Sequence, residues 1–232
     1  MEKKPANHEF QYDTHARTCA IDDFQRQVCR TVNGKPIPDD QLQLIEQAIL
    51  NGLQLEQADI VLDLACGNGA LSQFMFELCK GYRGIDISDF LISVANTYFA
   101  RTNYEFVCKD ALNYVLEEPL PQTYTKALCY AGFQYFTDDD AVFLLQCLHQ
   151  KYSHLQRIFI GNQPDRDKAK QFYQSNMPGV EELLSHTTAI GKWRTQADFF
   201  ALASQTGWRA TIQMMPDTFY SAHYRFDVIL DR

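Results

Sequence analysis

Residues 61–70 read VLDLACGNGA. A run of strand-forming residues carries one acid, Asp63, then crosses Gly67-Asn68-Gly69 into a segment where Leu71, Phe74, Met75 and Leu78 recur at helical spacing. Glycines at such a corner let the backbone come close to a ligand, because a side chain there would block the approach. A tight strand-to-helix turn needs glycine for steric reasons too, so the corner alone leaves a structural reading open.

Working outward, β-rich runs lie near 60–64, 82–87, 104–108, 126–130 and 157–161, separated by helical patterns such as Phe90, Leu91, Val94, Ala95 and Tyr98. That alternation predicts an α/β fold, a doubly wound sheet with parallel strands and helices on both faces. The acidic run Asp138 to Asp140 is read as N-terminal charge on the helix of Ala141, Leu145 and Leu148, favourable to its dipole. Thr195 and Asp198 predict a capped helix ended by Gly207. Trp208, Ala210, Ile212 and Met214 then alternate with polar residues, and 224–230 form a last apolar strand after a loop of only about ten residues. A connection that short predicts antiparallel pairing, so the sheet should be mixed, seven-stranded, and closed by a C-terminal hairpin. Before it, residues 1–55 are expected to be an N-terminal arm or lid (Phe10, Tyr12, Phe24), an Asn33-Gly34 turn and a helix starting at Asp39 or Asp40; residues 56–232 form the main domain.

Composition narrows the function. The chain has 232 residues, with 21 Lys plus Arg against 29 Asp plus Glu, a net charge of −8. Such a surface repels phosphate backbones, and no basic run exceeds Lys3-Lys4, so no nucleic-acid partner is expected. The longest charge-free stretch, 64–76, is far short of the roughly 20 apolar residues of a membrane helix, and the N-terminus lacks the apolar core of a secretory signal. Seven cysteines, several in apolar contexts and none in a CxxC pair, read as reduced core thiols of a cytoplasmic protein.

Two more acids follow Asp63 in register. Asp86 closes the second strand in GIDIS, where a carboxylate can accept the ribose hydroxyls of a nucleotide-like ligand, and Asp110 follows the third in CKDAL. Both sit beyond the C-terminal ends of their strands, where open α/β sheets bind ligands. With these residues in view, 60–230 resemble the class I S-adenosylmethionine-dependent methyltransferases, a Rossmann-like fold ending in an antiparallel hairpin. The family often has glycine where this chain has Ala65. The resemblance implies S-adenosylmethionine as cofactor. Asp63 would orient its methionine amino group, and Ala65, Gly67 and Gly69 would line that part with backbone. Asp86 would hold the ribose, Ile87 would pack on the adenine, Asp110 would accept from the adenine amine beside Ala111, and Tyr130 would lie near the sulfonium.

After the fourth strand the chain reads CYAGFQYF, without the amide and prolines of family members acting on nucleic-acid amines, and without the acids of magnesium-dependent catechol methylation. The expectation is metal-independent methylation of an oxygen or nitrogen on a small molecule, such as a sugar or other metabolite. Tyr12, His15, Gln134, Tyr135, Asn162, His186, His223 and Tyr224 are candidates for the acceptor side; His223, His186 and Tyr135 are taken as catalytic, His223 first. Arg17 and Arg30 could clamp an anionic substrate or the cofactor carboxylate from the arm, but are read first as solvated surface charge. Two rivals remain: an NAD-dependent oxidoreductase, against which stands Ser72 in place of the third glycine, and a non-catalytic binding protein that has kept the fold.

Overall fold

The structure, a computed structural model, describes residues 7–232, with side chains from Tyr12 onward; the Phe10 side chain lies outside the described residues. The chain opens with α1 (Asn7–Thr18) and the single turn α2 (Phe24–Gln27). A two-residue hairpin, β1 (Thr31–Val32) and β2 (Lys35–Pro36), follows, its turn made by Asn33 and Gly34 at φ +51° and +74°. Positive φ at both central positions is the type I′ geometry that Asn-Gly favours. Helix α3 (Asp39–Leu53) then lays Ile45, Ile49 and Leu53 on the main sheet. Gly52 lets it sit there, because a Cβ at that position would come within 2.2 Å of the Phe159 ring.

The sheet contains β3 (Ile60–Leu64), β4 (Gly81–Asp86), β5 (Tyr104–Cys108), β6 (Lys126–Tyr130), β7 (Arg157–Pro164), β8 (Arg209–Gln213) and β9 (Arg225–Asp231). Their spatial order is β5-β4-β3-β6-β7-β9-β8. The first five run parallel; β9 is antiparallel to β7 and β8. The strand order reverses between β3 and β6, which opens a crevice at their C-terminal tips. Val61 packs under α3 while Leu62 joins the core beneath the opposite helices, so both faces of the sheet's middle are covered and β3 and β6 are largely buried. The remaining helices are α4 (Asp89–Tyr98), α5 (Ala111–Glu117), α6 (Asp138–Lys151), α7 (Ala169–Tyr173), α8 (Val180–Leu184) and α9 (Gln196–Thr206). The capping box expected at Thr195/Asp198 is present, with Gly207 left-handed at φ +88°, and Thr137/Asp140 form a second.

One expected helix is not there. The stripe Leu71, Phe74, Met75, Leu78 leads only into a turn of 3-10 helix, Ser72–Met75, followed by further turns. The amides of Ser72, Phe76 and Leu78 all bond three residues back, to Gly69, Gln73 and Met75. The Tyr104 hydroxyl donates to the carbonyls of Phe76 and Cys79, and the Phe76 ring packs among Tyr82, Tyr104 and Phe106. A tertiary donor and an aromatic cluster thus hold this segment tighter than an α-helix, which helical periodicity cannot reveal.

Candidate active site

β3 and β6 end, and β7 bulges, through a non-glycine residue in the left-handed region: Ala65 at φ +64°, Ala131 at +57° and Asn162 at +63°. Such residues cost about 1 kcal/mol or more apiece, and strain of this kind gathers where geometry serves function. All three line one cavity of about 520 Å3. The methyl of Ala65 has room because its neighbour is Gly132, where a Cβ would stand 2.5 Å from that of Ala65. A small pair across two strand tips accommodates alanine where the family often has glycine.

The three acids expected to act together share this cavity. Asp63 is 2% exposed, and its Oδ2 accepts from Ser72 Oγ at 2.6 Å and from the Tyr82 hydroxyl at 2.7 Å. Burial outweighs those two donors and pushes its carboxyl up to about 7. Asp86 accepts the Gly67 N–H on Oδ2 and the Ser88 N–H on Oδ1, both at 2.9 Å, which leaves acceptor capacity on each oxygen. Burial raises this carboxyl as well, and the backbone N–H groups oppose the rise. Asp110 caps α5 through the Asn113 N–H at 2.9 Å and still lines the cavity. Beside them, Ile87 presents an apolar surface 47% exposed, next to Ala111 and Leu112. Tyr130 lies across β7, where a Cβ on Gly161 would meet its ring at 2.4 Å.

The residue between the loop glycines carries a contact that the motif alone does not announce. Asn68 is 1% exposed, and its Nδ2 donates to the Phe24 carbonyl and to Gln27 Oε1, both at 2.8 Å. The turn around α2 is therefore fastened to the glycine loop, with Val28 close against Gly67. From there the chain carries Arg30 into the cavity wall, half-buried, so it is not the solvated surface charge expected; Arg17, which pairs with Asp13 and Asp89 in the open, is. Helix α1 crosses above: Ser88 Oγ donates to Asp13 on one side, and on the other the Tyr12 hydroxyl bonds that of Tyr135 and the Ala189 carbonyl.

Of the acceptor-side candidates, Tyr12, Gln134, Tyr135, Asn162, His186 and Tyr224 line the cavity. Two do not. His15 is exposed and bonds the Arg26 carbonyl. His223, ranked first for catalysis, is exposed, packs its ring against that of Tyr224 with centroids 4.8 Å apart, and does not line the cavity. The reason is local: 221–224 form a turn, with the amides of Tyr224 and Arg225 both bonded to the Ser221 carbonyl, so strand alternation does not extend back from β9. The turn hands the wall to Tyr224 and Arg225. Gly69 is a second correction, for it does not line the cavity; it is glycine because of φ +75° and because a Cβ would come within 2.6 Å of the Phe106 ring.

Comparison with known proteins fits this geometry. Residues 61–153 match the model of a family described as a methyltransferase domain. The matched segment is similar to a methyltransferase domain, and the fold is that of the class I methyltransferases. Solved structures of this fold hold S-adenosylhomocysteine or S-adenosylmethionine, as magnesium protoporphyrin IX methyltransferase from Synechocystis PCC 6803 does. Over 85 residues the methyltransferase domain is 32% identical to an uncharacterised methyltransferase of Schizosaccharomyces pombe, a match covering 34% of this chain and 30% of that one. Over 80 residues it is 34% identical to a malonyl-(acyl-carrier protein) O-methyltransferase of Acetivibrio thermocellus, covering 34% of this chain and 27% of that one. The match thus spans under a third of either relative's length. In fold, the methyltransferase domain is similar to magnesium protoporphyrin IX methyltransferase from Synechocystis PCC 6803 with bound SAH (S-adenosylhomocysteine), with a TM-score of 0.57, 18% identity and 83% of each chain covered. The residues present suit the cofactor. A corner free of side chains at Gly67, two carboxylates with spare acceptor capacity, and an exposed isoleucine match an ammonium, a ribose diol and a purine face.

Proposed function

We propose that the chain methylates an oxygen or nitrogen of a small molecule held inside this cavity, without a metal. When bound, S-adenosylmethionine supplies a methyl group already activated by its sulfonium. What the chain must add is alignment, which alone accounts for a large part of the rate in such displacements.

One observation supports the reading above the rest: the acids at the tips of β3 and β4 and a wall of Tyr12, Tyr135, Tyr220 and Tyr224 belong to a single cavity roofed by α1. Its volume of about 520 Å3 falls within the roughly 300–1,000 Å3 of small-molecule sites. In the proposed arrangement Asp63 orients the methionine ammonium, Asp86 the ribose hydroxyls, Asp110 and Ala111 the adenine edge, and Ile87 the adenine face. Arg30, whose charge senses Asp63 and Tyr130, takes the methionine carboxylate. Burial keeps the Tyr135 phenol above its ordinary range, so it acts as a neutral donor at the acceptor and does not serve as a base. His186 is the imidazole on that wall. The tips of β6 and β7 offer Tyr130 and Gly161-Asn162 where a paired-acid metal site would need carboxylates. Helix α1 with the α2 turn serves as the lid over both ligands.

Thermal-shift titration separates the alternatives. Stabilisation by S-adenosylhomocysteine and none by NAD is expected; stabilisation by NAD alone would overturn the reading in favour of an oxidoreductase. Cofactor binding without methyl transfer to any small-molecule pool, but with transfer to RNA, would replace the acceptor class.

A further inference from the structure

Two arginines of the cavity wall, Arg30 and Arg225, have no carboxylate within 4 Å among the described residues, although ten other ion pairs of the chain do meet that distance. Arg225 is the more deeply placed, 9% exposed. One Nη donates to the Asn162 carbonyl, at the bulge where the β7–β9 register shifts, and the guanidinium lies over the Tyr224 ring at 4.9 Å. Its other electrostatic neighbours are the phenols Tyr220 and Tyr135, Tyr12 and Tyr130 sense its charge in turn, and the buried Asp227 carboxyl senses it without coming into ion-pair contact. A guanidinium has five N–H donors in a fork suited to a carboxylate, and burying one without a counter-ion costs several kcal/mol. Phenol hydroxyls around it are further donors for the same anion.

Resting on the methyltransferase reading above, we infer that Arg225 is the anchor for a carboxylate carried by the acceptor. The methionine part of the cofactor brings one carboxylate, and Arg30 lies on that side of the cavity, toward Asp63. Tyr130 and Tyr220 sense both arginines, but Arg225 alone is sensed by Tyr12 and Tyr135, and it is left for the second ligand. A monoanion fits better than a dianion, because Asp63, Asp86 and Asp110 already line the same space. The position of the charge matters as well. In a chain of net charge −8 an extended polyanion is repelled from outside, while a small anion enters a locally positive recess.

The test uses the full chain saturated with S-adenosylhomocysteine, which occupies Arg30, and titrates it by calorimetry with benzoate and with benzamide, its neutral isostere. Benzoate should bind at least about tenfold tighter than benzamide. In Arg225→Gln that preference should disappear while affinity for S-adenosylhomocysteine stays within about twofold. Arg225→Lys, which keeps the charge and loses the fork, should fall between. Should Arg225→Gln fail to fold, the wild-type ratio and the lysine variant decide. Equal binding of the two probes, binding of neither, or benzoate affinity unchanged in both variants overturns the assignment. A protein that does not bind S-adenosylhomocysteine at all defeats the methyltransferase reading itself; one that binds it without preferring benzoate defeats only the carboxylate anchor.

Discussion

The two halves of the cavity are built in opposite ways. The half proposed for the cofactor comes from three consecutive parallel strands: Asp63 and the glycine loop at the end of β3, Asp86 at the end of β4, and Asp110 just after β5. Each acid lies within two residues of its strand's last position, and sheet register brings the three together. The half proposed for the acceptor comes from four distant pieces: Tyr12 on α1, Gln134 and Tyr135 after β6, His186 after α8, and Tyr220, Tyr224 and Arg225 around the start of β9. Its hydrogen bonds leap across the chain, as Tyr12 to Tyr135 and Ala189 does. A half made by register depends on the sheet core; a half made by long-range contacts depends on side chains that each hold one link.

The largest expected effect breaks the first half. Asp86→Ala removes an acceptor that also receives the Gly67 and Ser88 amides, so affinity for S-adenosylhomocysteine should fall about 10- to 100-fold by calorimetry, the scale of lost charged hydrogen bonds. A loss below about threefold would show that the ribose is held elsewhere.

Next in size is a pH effect on the same half. Because burial holds the free Asp63 carboxyl at about 7, it is mostly neutral at pH 6, and a cationic ammonium binds better once it ionises. Affinity for S-adenosylhomocysteine should therefore rise by up to about tenfold per pH unit on approaching pH 7 and level off above it. Asp63→Asn should remove that slope. The linkage to folding has the opposite sense: a carboxyl raised in the folded state adds stability below its unfolded value of 3.8 and loses it as pH rises through about 7. Asp227, buried and raised to about 7, acts in the same direction.

Smaller effects belong to the acceptor half. Tyr12→Phe deletes the hydroxyl joining α1 to Tyr135 and Ala189, a loss of about 1 kcal/mol, and should speed dissociation of S-adenosylhomocysteine about fivefold in stopped-flow while the melting temperature changes little. Dissociation as slow as in the wild type would show that the lid closes without this link. Smallest of all is His223→Ala: exposed and off the wall, it should leave cofactor affinity and turnover unchanged. Loss of turnover would bring that histidine back to the site.

The two halves also differ in how far the sequence reveals them. The tips of β3 and β4, with Asp63 and Asp86, were readable from alternation and spacing, because strand tips in a parallel sheet are fixed by local pattern. Asp110 was readable too, although part of its role is to cap α5. His223 was misplaced because a turn at 221–224 cancels the parity that a strand would have kept, and Arg30 was undervalued because only the Asn68–Gln27 bond shows the arm tied to the glycine loop. The short 3-10 turn after that loop escaped for a related reason: Tyr104, far along the chain, fastens the end of the segment at the Phe76 and Cys79 carbonyls.

Local pattern therefore determined the strands, their order of appearance, the capped helices and the acids at the strand tips, since hydrophobic period and capping are properties of neighbouring residues. Tertiary structure alone decided which side chains form the rest of the cavity wall. The distance from Tyr12 to Tyr135, or from Asn162 to Arg225, is set by how β9 inserts between β7 and β8 and how α1 lies over the crevice, and no spacing along the chain encodes that packing.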